Sequence, residues 1–231
     1  MKYDPTGFFA INFLSHLNTD FSYAKICQWT QEQYKQYSLL LSEFERCNGK
    51  NSNVSMADKG KSLEILVTFL LNNCGNIFKV YQNIHSCTNE IDNLMQLTPA
   101  GRYLSSNGLL PQYYCNFISE CKNYHGRVGV TYVGKFCSLM MATACKLGVL
   151  FSYHGVTGNK WEAGSGLIKK FYLHKENIDE RYCLIDFEIN DFHAILKGEN
   201  FLQIVENKIS ALQFDTEYKS MLTPHPAESN L

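Results

Sequence analysis

Three short runs rich in β-branched and aromatic residues constrain this chain more than any other feature: IFKVYQNIH (77–85), EIDNLMQL (90–97) and YYCNFISECK (113–122). Turn-type residues at 86–89 separate the first two, which predicts a β-hairpin. Residues 98–112 read as a loop or a short helix, and the third run as a third strand. Before them, Leu63, Leu66, Val67, Leu70 and Leu71 recur at helical spacing. That helix is expected to start near Met56, with Ser55 and Asp58 forming a weak capping box, and to end at Gly75 in a left-handed conformation.

After the third strand the pattern predicts a helix over 131–147 and a short buried strand, VLFSYHG (149–155). A helical segment over 161–174 and a fifth strand, CLIDFEI (183–189), come next. A closing helix carries Phe201, Ile204, Val205, Ile209 and Leu212. Helix, three strands, helix, strand is the order of a mixed sheet flanked by helices, an α/β fold. Residues 1–50, with a helix over 21–47, read as an N-terminal helical extension joined by a polar linker over 48–55. Residues 51–215 form the main domain and 216–231 a polar tail.

The chain has 231 residues, 45% hydrophobic and 19% charged, the balance of a globular protein. Nine cysteines, an odd number with no C-x-x-C pair, fit free thiols in a reducing compartment and argue against disulfides or structural zinc. The opening MKYDPTGFFAINFLSH is a poor signal peptide, and no apolar run approaches membrane-spanning length. A soluble, cytoplasmic protein without a membrane partner is expected.

The chemistry concentrates at Glu120-Cys121-Lys122. Strand residues two apart share a face, so Glu120 and Lys122 point together and Cys121 points to the core. An acid and a base on one face at a strand end make a poor core and a good site. Asp92 lies on the preceding strand between Ile91 and Leu94. Pairing of the two strands would let the carboxylates of Asp92 and Glu120 converge, an oxygen-donor pair suited to Mg²⁺ or Mn²⁺. Against this stands the possibility that Glu120 and Lys122 merely solvate an edge.

This order of residues resembles the PD-(D/E)XK nucleases, the restriction-endonuclease-like superfamily that includes Mrr-type and related defence nucleases. Asp92, then Glu120-x-Lys122 one strand later, matches the signature. Glu64 on the helix before the hairpin matches an additional acid that many members carry. The match spans roughly residues 56–155. No proline precedes Asp92, which leaves Glu90 as a competing ligand.

The resemblance implies a restriction-endonuclease-like core and metal-dependent phosphodiester hydrolysis, with DNA the expected substrate and nothing in the sequence deciding between DNA and RNA. Asp92 and Glu120 would hold one or two divalent ions, with the backbone carbonyl of Cys121 as a further ligand. Glu64 would serve the second ion or a water. Lys122 would position the attacking water. The rival reading is a degenerate nuclease fold that serves as a nucleic-acid-binding or assembly subunit.

The formal net charge of −1 runs against a nucleic-acid binder. However, the stretch from Cys121 to Trp161 holds five Lys or Arg residues and no Asp or Glu. Arg127 and Lys135 from this run, together with His154 after the buried strand, are expected to contact the backbone of duplex DNA. Gly164-Ser165-Gly166 is too short for a phosphate loop. The aromatic residues read as dispersed core, with no stacking platform. With no separate recognition domain, a homodimer or a larger complex is expected, its suspected surfaces being the last helix and the helix near Trp29.

Overall fold

The computed structural model describes residues 23–49, 52–85, 90–158 and 163–214. A short helix α1 (Tyr23–Ile26) leads into α2 (Gln31–Asn48) and α3 (Met56–Asn72). Strands β1 (Phe78–His85) and β2 (Glu90–Leu97) follow. Helix α4 (Pro99–Ser106) precedes β3 (Asn116–Lys122), α5 (Val130–Ala142) and β4 (Leu147–Ser152). Helix α6 (Gly164–Leu173), β5 (Cys183–Phe187), α7 (Ile189–Leu196) and α8 (Phe201–Phe214) complete the described residues.

The five strands form one mixed sheet in sequential order. The β1–β2 and β2–β3 pairs are antiparallel, and the β3–β4 and β4–β5 pairs parallel. Parallel neighbours need crossovers, and α5 and α6 provide them on one face of the sheet. Strand β4 is buried along its whole length, as expected of a strand covered on both sides. Even positions of β3 and β4 face α5 and α6, where Ile118 and Leu150 pack with Val133, Phe136, Met140 and Ile168. Odd positions face α2, α3, α7 and α8, where Phe117, Cys121, Val149 and Phe151 join the larger core.

The helix over 21–47 is interrupted. Thr30 accepts from the Gln33 backbone N–H and Gln33 caps back, so a capping box restarts the chain at Gln31. The resulting helix is built into the main core. Tyr37, Leu41 and Phe44 are buried, and the Tyr37 hydroxyl donates to the Phe192 carbonyl at 2.9 Å. The helix over 131–147 stops at Ala142, because Ala144 takes a left-handed φ of 54° and turns the chain into β4. The fifth strand ends at Phe187. Glu188 caps a helix, α7, that the alternation of CLIDFEI concealed. Gly75 has the expected positive φ, and a side chain there would strike the Ile26 carbonyl at 2.4 Å. The turn over 86–89 lies outside the described residues.

Both suspected association surfaces are used within the chain. Helix α8 buries Phe201, Leu202, Ile204 and Val205. Trp29 packs against Tyr34, Tyr37 and Phe69 and donates to the Asn73 carbonyl at 2.8 Å. Every described cysteine is a free thiol. Among the described residues no helix is long and apolar enough to cross a membrane.

Candidate active site

Strand β3 carries Glu120 and Lys122 at its C-terminal end on the α5 face. The pairing Asn93↔Ser119 makes Asp92 the cross-strand neighbour of Glu120. The ladder stops at that pair, and beyond it the Cys121 N–H donates instead to Asp92 Oδ2 at 2.8 Å. N–H and C=O of one strand residue point to the same side. The Cys115 carbonyl, which accepts from the Leu97 N–H of the β2 side, has the same parity. The Cys121 carbonyl is therefore directed into the gap that Asp92 occupies.

Lys122 Nζ lies 2.5 Å from Glu120 Oε1, with the two side chains only 26% and 17% exposed. Glu120 Oε2 is buried and has no hydrogen-bond partner. Burial and then the charge of Asp92 push the Glu120 carboxyl up, against Lys122, with Glu90 adding a little. Burial pulls Lys122 down, but its bond to Glu120 and the charges of Glu120 and Asp92 outweigh that and leave it raised. Burial, then the charges of Asp92, Glu64 and Glu120, push the Cys121 thiol far up, so it is no nucleophile.

A cavity of about 260 Å³ opens on this pair, lined by Glu90, Glu120, Lys122, Tyr132, Lys135 and the apolar side chains of Phe136, Leu139 and Leu150. Lys135 thus borders the site, and so does the competing acid Glu90. Arg127 and His154 are exposed on the loops that leave β3 and β4 at the C-terminal end of this parallel pair. A parallel bridge Val128↔Val156 ties the loops together, with the Val128 N–H donating to the Gly155 carbonyl at 2.8 Å. Lys146 is carried to the other end of β4, where it donates to the Glu180 carbonyl at 2.9 Å. The acid-free run therefore contributes its cations to two separate places. Lys160 and Trp161 lie outside the described residues.

Glu64 is exposed on α3, across the sheet from Glu120. It reaches the site as charge on Cys121. Pattern reasoning overlooked two residues at the rim. Asn123 is buried and donates to the Lys59 carbonyl at 2.7 Å, pinning the end of β3 to α3. Tyr132 stands 40% exposed beside Tyr124, so an aromatic pair exists where none was expected. Their separation of eight residues, across a loop and a helix start, gives no periodic signal.

Among the described residues no group of three or more His, Cys, Asp and Glu side chains is arranged to hold a metal ion. Mg²⁺ asks for less than such a cage: one or two carboxylates, with water completing the shell. The recessed pair Asp92 and Glu120, the free Glu120 Oε2 and the Cys121 carbonyl meet that lesser demand, and their oxygen chemistry suits Mg²⁺ or Mn²⁺ over softer ions.

No known family model matches this chain, and neither does any curated protein or solved structure.

Proposed function

We propose that this protein is a divalent-metal-dependent endonuclease, hydrolysing phosphodiester bonds in DNA on a restriction-endonuclease-like core. The observation that carries the reading is the recess at the β2–β3 gap, where two carboxylates and a lysine meet and Glu120 Oε2 is left without a partner. A buried acceptor without a partner is costly unless something uses it. The order of elements supports the same reading: a helix, an antiparallel three-strand meander, then a helical crossover to a parallel strand, with the acids on β2 and β3.

Asp92, Glu120 and the Cys121 carbonyl would hold the ion, with Glu64 and Glu90 as outlying acids. When bound, a divalent ion supplies charge neutralisation at the phosphate and makes water more acidic. The chain's own groups do the rest. Asp92, through the Cys121 N–H, fixes where the end of β3 lies. The Lys122 ammonium, held by Glu120, donates to the phosphate or to the attacking water and offsets developing negative charge. Lys135, Arg127 and His154 lie where the flanking phosphates would pass. Phe136, Leu139 and Leu150 keep one wall of the cavity apolar, which strengthens each of these charges.

The rival reading, a binding or assembly module, draws on the ion pair itself, since Lys122 already neutralises Glu120. Purified protein incubated with DNA and Mg²⁺ or Mn²⁺ separates the two. Cleavage that chelation stops, and that Glu120→Gln abolishes without lowering the melting temperature, is expected. Cleavage undiminished in Glu120→Gln or Asp92→Asn would refute the site. DNA binding without cleavage under every metal would leave the module reading.

A further inference from the structure

Tyr132 sits in the first turn of α5 with 40% of its surface exposed, and the sheet-facing core makes no use of it. Its ring lies 5.0 Å from that of Tyr124, at an interplanar angle of 42°. Burial and a hydrogen bond with Tyr132 push the Tyr124 hydroxyl up to about 12, so the ring that backs Tyr132 is a neutral phenol. Lys135 Nζ stands 5.5 Å from the Tyr132 centroid. The same ring lines the cavity that contains Glu120 and Lys122. An aromatic face, the lysines Lys122 and Lys135 and the acids Glu90 and Glu120 therefore share one recess.

Each component has a nucleotide counterpart. Aromatic rings stack on bases regardless of sequence, and neighbouring cations hold the backbone. An intact duplex cannot use such a ring, because its bases are stacked inside and only sugars, phosphates and groove edges reach a wall. Bringing a duplex base onto Tyr132 would require extruding it, at the expense of unstacking and unpairing. A single strand offers the base freely.

We propose that the site acts on single-stranded DNA, with the base beside the scissile phosphate stacked on Tyr132, Tyr124 backing that ring, and Lys135 on the adjoining phosphate. This rests on the phosphodiesterase reading above. It replaces the duplex expected from the basic run with an unpaired substrate.

The test uses the full-length protein and one sequence offered as a single strand and as a blunt duplex. Cleavage is followed in Mg²⁺. Binding is followed in Ca²⁺ with 2-aminopurine in the strand, whose fluorescence falls on stacking. The single strand should be cut at least about tenfold faster than the duplex, and binding should quench the probe. Tyr132→Ala should lose the quench and fall about 5- to 150-fold in kcat/KM on the single strand, the range of one base–aromatic stack. Tyr132→Phe should keep both, and circular dichroism should show all three proteins folded. Equal cutting of duplex and single strand, or an unchanged Tyr132→Ala, would overturn the proposal. If neither DNA is cut, the phosphodiesterase reading falls by itself. The stacking is then still decided: quenching that Tyr132→Ala removes supports it, and absence of quenching overturns it.

Discussion

Asp186 on β5 makes a quantitative prediction. Its Oδ2 accepts the Val156 N–H at 2.9 Å, while Oδ1 is buried without a partner. Lys208 bonds to Asp191 Oδ2 and to the backbone carbonyl of Asp186, each at 2.6 Å. Burial therefore dominates and pushes the Asp186 carboxyl from 3.8 to about 6, against Lys208 and the Val156 hydrogen bond, with Asp191 and Glu188 adding to the rise. A rise of that size corresponds to about 3 kcal/mol between the two protonation states. The folded state holds the proton more tightly than the unfolded chain. The stabilisation is therefore complete below the ordinary carboxylate range and is lost as pH rises through about 6. Asp186→Asn keeps an acceptor for Val156 and removes the buried charge. Its amide N–H₂ replaces the unpartnered oxygen and gives part of the gain back. The variant should be about 1–3 kcal/mol more stable near pH 8, with the gain vanishing near pH 4. Urea unfolding followed by the fluorescence of Trp29, packed against Tyr37 and Phe69, reads both values. A gain of the same size at both pH values, or no gain near pH 8, would refute the reasoning. Gly155 supplies an independent check. It has φ 70°, and its missing Cβ would lie 3.0 Å from Asp186 Oδ2, so Gly155→Ala should loosen the loop that carries His154.

Lys122→Met keeps the volume and removes the charge, so single-turnover cleavage should fall by about 10²-fold or more while DNA affinity in Ca²⁺ changes less than about tenfold. Lost affinity with a preserved single-turnover rate would make the lysine a phosphate anchor instead. Charge reversal of Arg127 and Lys135 should flatten the dependence of log affinity on log salt by about 0.7 per lost phosphate contact on single strands, or about 0.9 on duplex. An unchanged slope would remove these residues from the interface. Tyr37→Phe leaves the Phe192 carbonyl without its 2.9 Å donor and should cost about 1–3 kcal/mol within one cooperative transition. A separate early transition would mean that α2 unfolds alone.

Where local chemistry decides, the sequence was readable. β-Branched and aromatic residues set β1 and β2 within a residue of their ends, and Ser55 caps α3 by accepting the Asp58 N–H, with the Asp58 carboxylate accepting from the Ser55 hydroxyl in place of the backbone half of the expected box. Where a competing pattern hides the local signal, or where packing between elements decides, it was not. From Ile185 on, CLIDFEI alternates like a strand, yet Glu188 accepts the Asn190 N–H and Asp191 accepts the Glu188 N–H, and the chain turns into α7. The apolar stretch around Ala144 carries no glycine at the position that turns left-handed. The candidate acids Asp92 and Glu120 were visible because polar residues on apolar strands stand out. Lys135 and Tyr132 join them only through the packing of α5 onto the even face of β3 and β4.

The gap that gathers these groups has a cause that no periodicity shows. Register on the β1 side passes from Gln82↔Asn93 to Ile84↔Ile91 and omits Asn83 opposite Asp92. Asn83 is left-handed, with φ 49°, a conformation that asparagine tolerates better than most residues. On the β3 side the ladder ends at Asn93. Asp92 is thus the one residue of β2 without a ladder partner on either side. A strand residue held by both neighbours has its carboxylate fixed perpendicular to the sheet. Released from both, Asp92 can turn its carboxylate along the sheet to the Cys121 N–H, which places it beside the Cys121 carbonyl and next to Glu120. A lapse in regular pairing at one position therefore brings the Asp92 carboxylate onto the backbone of β3, where its charge acts on Glu120.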